Sequence, residues 1–269
     1  MLLLSILKGA SEKNAKCHSS TTAIKNQMAF AQNDRLVFRR FLNTNTMKFA
    51  VIGTGKTGRK VVELLGKNQI IGPFDSSKKP TSQVLQKADA AVLFVPAAAV
   101  EELINPLIDS KIPAAWATTG YEWPDDLDRR LKEKDVKWLH ASNFSLGMNI
   151  ARRCLNVIGK NSSVLNKPSF QIHEIHHTQK KDAPSGTALS WQEWLGKKAE
   201  ITSERRGDVK GIHQLQVKTE SESVWLKHEA HDRRIFAEGA IWAAEQLVKQ
   251  DIAPGFHNFS TIFDKVMQQ

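Results

Sequence analysis

The stretch "KFAVIGTGKTGRKVVELLG", residues 48–66, decides the fold. Phe49 to Ile52 form an uninterrupted apolar strand, GTGKTG (53–58) makes a glycine-rich turn, and Val61, Val62, Leu64 and Leu65 set a helical period. Strand, turn and helix in that order satisfy G-x-G-x-x-G, whose glycines let the backbone approach a pyrophosphate while a helix start supplies amide donors. Gly53, Thr54, Gly55, Lys56 and Thr57 are therefore candidate dinucleotide-binding residues. Asp75 ends the next short strand, "QIIGPFD" (69–75), where an acid accepts from ribose hydroxyls. Ser76, Lys78 and Lys79 follow it and can receive a 2′-phosphate, so the choice between NADH and NADPH stays open.

Outward from this unit the chain keeps alternating. "ADAAVLFVP" (88–96) is the near-continuous apolar run of a parallel strand covered on both faces. "VEELINPLIDS" (100–110) has a helical period, with Pro106 marking a bend or a break. "IPAAWATTG" (112–120), "LDRRLKEKD" (127–135) and "VKWLHAS" (136–142) add strand, helix and strand. The expected fold is α/β, a Rossmann-like doubly wound parallel sheet. The loops after its strands hold Ala117, Thr118 and Thr119, then Ala141, Ser142, Asn143 and Phe144, at the carboxyl edge where such sheets bind ligands.

Beyond Asn143 the texture changes. "MNIARRCLNVIG" (148–159) suggests a helix and "SFQIHEIHH" (169–177) a mixed or antiparallel strand. "VWLKHEAHDRRIFAEGAIWAAEQLVKQ" (224–250) runs from strand into a long helix with Ala240, Ile241, Ala244, Leu247 and Val248 on one face. The expected division is a dinucleotide-binding domain at 47–143 and 236–269, and an α+β substrate and oligomerisation domain at 144–235.

Residues 1–46 read differently. They hold seven Lys/Arg against two acids, half of the chain's net charge of +10, with no clear period. We read them as a leader or disordered extension ahead of a working protein that starts at Met47, an organelle transit peptide being the alternative. The remaining excess suits anionic small molecules; no basic stripe interleaved with aromatics points to nucleic acid. No run nears the roughly 18 apolar residues of a membrane span. The two cysteines offer neither metal-ligand spacing nor a disulfide framework, which suits a reducing compartment, the cytoplasm, and no metal.

"EIHHTQKKDAPSGT" (174–187) crowds two histidines, two lysines, an aspartate and a Pro-Ser-Gly turn into a stretch with little apolar surface to bury. His176 and His177 end a strand and point to opposite faces, so at most one readily faces a given substrate. Lys180 is near enough to share a site with His176. Ser185, Gly186 and Thr187 open a helix and offer hydroxyls and amides to a carboxylate. A histidine titrating near neutrality is a candidate general acid.

This stretch resembles the E-x-H-H-x-x-K-x-D-A-P-S-G-T-A signature of the dihydrodipicolinate reductases. Glu174, His176, His177, Lys180, Asp182 to Pro184 and Ser185 to Ala188 match it. "TTG", "SNFSLG" and "RRIFAEGAIWAAEQL", with Arg233, Phe236 and Gly239, are similar to further segments of that family. The likeness extends over about residues 47–269. It implies NADH- or NADPH-dependent reduction of a cyclic, unsaturated dicarboxylate in lysine and diaminopimelate synthesis. His176 would be the proton donor with Lys180 assisting, Ser185, Gly186 and Thr187 would hold a carboxylate, His177 would contact substrate and Arg233 cofactor. A homotetramer built through the second domain's sheet is implied as well. Two other readings remain: a sister dehydrogenase acting on an amino-acid semialdehyde, and a non-catalytic dinucleotide sensor or assembly factor.

Overall fold

The computed structural model describes residues 47–268; the expected leader lies outside them. Five strands follow in sequence: β1 (Phe49–Ile52), β2 (Ile70–Phe74), β3 (Ala90–Leu93), β4 (Ala114–Trp116) and β5 (Lys137–His140). With β10 (Gly255–Asn258) they form an all-parallel sheet in the order β2-β1-β3-β4-β5-β10. β1, β3 and β4 are buried along their whole length, which is why they read as unbroken apolar runs.

Helices α1 (Gly58–Leu64), α2 (Ser82–Leu85), α3 (Glu101–Ser110) and α4 (Leu127–Glu133) connect these strands. Of the bend or break expected at Pro106, the break does not occur, because α3 runs through it. Leu103, Ile104, Leu107 and Ile108 are all buried on that helix. Burying each stabilises by about 2 kcal/mol, which together outweighs the roughly 3 kcal/mol an interior proline costs.

After β5 come α5 (Leu146–Asn161), β6 (Ser169–His176), α6 (Gly186–Leu195), β7 (Glu200–Arg205), β8 (Ile212–Lys218) and β9 (Ser223–Glu229). The four strands make a second sheet, β7-β6-β8-β9, in which β6 runs parallel to β7 and antiparallel to β8. Ile172, Leu215 and Val217 pack from this sheet against Met148 and Leu155 of α5 and Trp191 and Leu195 of α6. The chain then returns through α7 (Arg234–Lys249) to β10 and α8 (Phe259–Val266).

α7 lies against α1, β3 and β4 through Ala237, Ala240, Ile241, Ala244 and Leu247, all fully buried. Val248, expected on that face, is 41% exposed, one step round the helix from Leu247. Gly239 permits the approach at the other end, since a Cβ there would stand 1.6 Å from the Phe144 carbonyl oxygen.

Candidate active site

The side chains at 174 and 176 share one face of β6, two residues apart, and the pairing of β6 with its neighbours supplies the rest. Glu174 stands opposite His213 on β8 and beside Ser203 on β7; His176 stands beside Arg205. Glu174 is fully buried. One carboxylate oxygen accepts from Arg205 Nη2 at 3.0 Å and from the Ser185 amide at 3.3 Å; the other is in ion-pair contact with His176 Nδ1. Burial pushes the Glu174 carboxyl up, but Ser203, Arg205 and His176 outweigh it and hold it below the ordinary carboxylate range. Ionised Glu174 therefore fixes the proton of neutral His176 on Nδ1. Nε2 is then the nitrogen that gains and gives a proton. It lies against Gly211, where a Cβ would come within 3.2 Å.

Burial lowers the His176 pKa, with Lys180 and Arg205 acting in the same direction against Glu174. The neighbouring His213 is pushed down to about 3, chiefly by burial and then by His176. Its Nε2 lies 3.3 Å from the Ser185 hydroxyl. Glu174, His176 and His213 bring ligand-type atoms within 4.8 Å of one another, the pattern of a metal cluster. The Arg205 cation already neutralises the same carboxylate, and this favours an acid–base network over a cation site.

Arg205 also donates to the backbone oxygens of Lys180 (3.2 Å) and Asp182 (2.5 Å), so it ties the loop after β6 to Glu174. Lys180 Nζ contacts both Asp182 carboxylate oxygens at 2.8 Å. Ser185 caps α6, its hydroxyl accepting from the Ala188 amide at 3.2 Å. That hydroxyl is spent on the cap and on His213, which leaves Gly186 and Thr187 as the more open part of the turn. A Cβ at Gly186 would meet nothing within 4 Å, so the fold itself does not demand glycine there.

His176, Lys180, Ser185, Gly186 and Thr187 line a cavity of about 770 Å³, together with Thr119, Ala141, Ser142 and Asn143 from the edge of the parallel sheet. Part of the expected dinucleotide half thus shares a cleft with the expected substrate half, while Gly53 to Thr57 and Asp75 do not line it. Ala117, Thr118 and Phe144 do not line it: Thr118 is buried and bonded to the Val95 carbonyl, and Phe144 packs on Phe259. His177 and Arg233 line a smaller neighbouring cavity of about 360 Å³ that His176 and Lys180 also reach.

The glycine turn fits a dinucleotide. A Cβ at Gly53 would stand 2.2 Å from the Phe94 carbonyl oxygen, and one at Gly58 1.8 Å from that of Gly53, so packing alone requires both. At Gly55 a Cβ would meet nothing, and the open space is what an approaching pyrophosphate needs. Asp75 Oδ1 accepts from the Ser77 amide (2.9 Å), the Ser77 hydroxyl (2.6 Å) and the Lys78 amide (3.2 Å). Those bonds, Ser77 first, hold its carboxyl below the usual range. Its other oxygen has only a 3.5 Å contact from Thr54 and can accept from a ribose. Lys79 is paired with Glu102 at 2.5 Å.

Sequence reasoning did not assign roles to Glu174, Arg205 and His213. Glu174 carried a signal, as a fixed position of the signature; Arg205 and His213 enter through strand pairing, 29 residues from His176 and 39 from Glu174 in sequence.

A parallel dinucleotide-type sheet joined to a second sheet that carries a histidine–carboxylate pair defines a pyridine-nucleotide-dependent oxidoreductase. Residues 147–263 match the family described as "Dihydrodipicolinate reductase, C-terminus". The 4-hydroxy-tetrahydrodipicolinate reductase of Bdellovibrio bacteriovorus is 30% identical over 226 residues, covering 80% of this chain and 96% of that protein. The enzyme of the same name from Alkaliphilus metalliredigens is 32% identical over 197 residues, covering 65% and 80%. The chain belongs to the dihydrodipicolinate reductase family. Its fold is similar to that of dipicolinate-bound dihydrodipicolinate reductase from Paenisporosarcina sp. TG-14, with a TM-score of 0.64, 18% identity and coverage of 80% and 99%.

Proposed function

We propose that this chain reduces 4-hydroxy-tetrahydrodipicolinate to tetrahydrodipicolinate, using NADH or NADPH, in lysine and diaminopimelate synthesis. The reduced nicotinamide, when bound, supplies a hydride; the substrate also takes up a proton, and its hydroxyl leaves as water. His176 is the proton donor, from Nε2, while Glu174 keeps the other proton on Nδ1. In the free protein the lowered pKa keeps His176 mostly neutral at neutral pH. A dianion arriving beside it raises that value, so substrate charge itself helps to load the acid. Lys180 leaves Asp182 to meet the substrate, and the start of α6 at Gly186 and Thr187 holds a carboxylate. Gly53 to Thr57, Thr119 and Ala141 to Asn143 serve the dinucleotide, with Asp75 at its ribose.

The buried Glu174–His176 contact is the observation that carries this reading. Its test is oxidation of NADH and of NADPH, followed by absorbance with freshly generated substrate and the chain started at Met47. Turnover with either is expected. Dinucleotide binding without turnover would overturn the reading.

We also propose a homotetramer formed through the second sheet. The face turned away from α5 and α6 carries Gln171, His173, Gln214, Gln216 and Trp225 around a cleft of about 290 Å³, and Trp225 is 55% exposed. A monomer mass by light scattering would overturn it.

A further inference from the structure

The cavity of about 360 Å³ behind His176 and Lys180 is also lined by His177, Lys210, Asp232 and Arg233. Among the described residues, the side chains of His177, Lys210 and Arg233 have no ion pair or hydrogen bond, whereas Lys60, Lys79, Arg129, Lys132 and Lys227 each sit on an acid. The lining holds one acid, Asp232, whose Oδ1 accepts from the Arg234 amide at 2.7 Å. Lys180 brings its own counter-charge in Asp182. Lys210 and Arg233, from the turn between β7 and β8 and the start of α7, thus outnumber the one acid of the lining. Like charges gathered without a partner repel one another, and an anion relieves that repulsion.

We propose that Lys210, with His177 and Arg233, forms an anion subsite that holds an oxyanion group of a ligand bound at His176. This rests on the reductase reading and adds Lys210 to it. Two ligands of that reaction carry such a group: the substrate, through the carboxylate not held by α6, and the dinucleotide, through a phosphate. Lys210 is exposed and lines the cavity. Its contribution is to affinity and leaves the proton on His176 in place.

The test uses the wild-type chain and Lys210→Ala, Lys210→Glu and Lys210→Arg variants. Binding of pyridine-2,6-dicarboxylate and of NADH is measured by calorimetry at low and at raised salt. One of the two affinities is expected to fall roughly tenfold in K210A and further in K210E, to recover in K210R, and to depend less on salt than in wild type. Loss confined to the dicarboxylate assigns the subsite to the substrate; loss confined to NADH assigns it to a phosphate. Unchanged affinity for both ligands in K210A and K210E, with wild type binding both, would overturn the subsite alone. Wild type binding neither ligand would overturn the reductase reading and the subsite with it.

Discussion

His176 leans its Nδ1 on the carboxylate of Glu174, two residues earlier on the same face of β6, and Arg205 from the adjoining strand holds that carboxylate in place. A catalytic histidine needs a fixed tautomer and a fixed ring, and a buried ionised partner supplies both. On the proposed mechanism, the arrangement separates what delivers the proton from what orients it.

Replacing Glu174 by Gln keeps the shape and removes the charge. We expect kcat to fall about 100-fold with the Kd for NADH unchanged. Because Arg205 loses its buried counter-charge, unfolding stability is expected to drop by about 3 kcal/mol. A parallel loss of NADH binding would show that the residue supports the fold and not the chemistry.

The lowered pKa of His176 sets the pH dependence. With the protonated form active, kcat/KM falls as pH rises through a value below 6.5, the free protein's. The kcat profile falls at higher pH, because the bound dianion favours the charged ring. Coincident limbs in the two profiles would exclude this coupling.

His213 bears on stability instead. Its folded value of about 3 lies below the unfolded 6.5, so between these values the unfolded chain binds a proton that the folded one refuses. Its stabilising contribution is complete above 6.5 and is lost as pH falls, by roughly 1.4 kcal/mol per pH unit. Denaturant midpoints for His213→Gln should show a shallower acid slope than wild type.

A methyl group at Gly239 has nowhere to go, with the Phe144 carbonyl oxygen 1.6 Å from its position. Gly239→Ala should cost about 3 kcal/mol by denaturant unfolding. Because Asn143 lines the main cavity next to that carbonyl, KM for the dinucleotide should rise in the same variant.

Asp75→Asn removes the charge that repels a 2′-phosphate, so the ratio of kcat/KM for NADH over NADPH should fall about tenfold. An unchanged ratio would mean the ribose end is read elsewhere.

The parallel sheet was legible because its strands are buried on both faces and its glycine turn is local. β7, β8 and β10 were not read. β7 carries the polar run Glu200, Thr202, Ser203 and Glu204, and β10 is four residues with an acid-bonded edge at Phe256. Neither has an apolar period to find. The break allowed for at Pro106 and the buried place expected for Val248 did not hold, where tertiary burial and helix angle decided what local pattern did not. At the site, His176, Lys180 and the Ser185 turn were visible as a cluster in sequence. Arg205 and His213 were not, because only sheet pairing brings them within reach of Glu174.

That pairing also ties chemistry to assembly. Glu174 meets His213 across β8 and Ser203 across β7 in one register alone. A slip of one residue on either side would turn these partners to the opposite face and leave Glu174 buried without company. A chain with its helices formed but this sheet mispaired would thus be inert. During refolding, the return of turnover should track the closure of β7-β6-β8 rather than the earlier gain of helix, so the enzyme carries its own reporter of when its last strands have found their places.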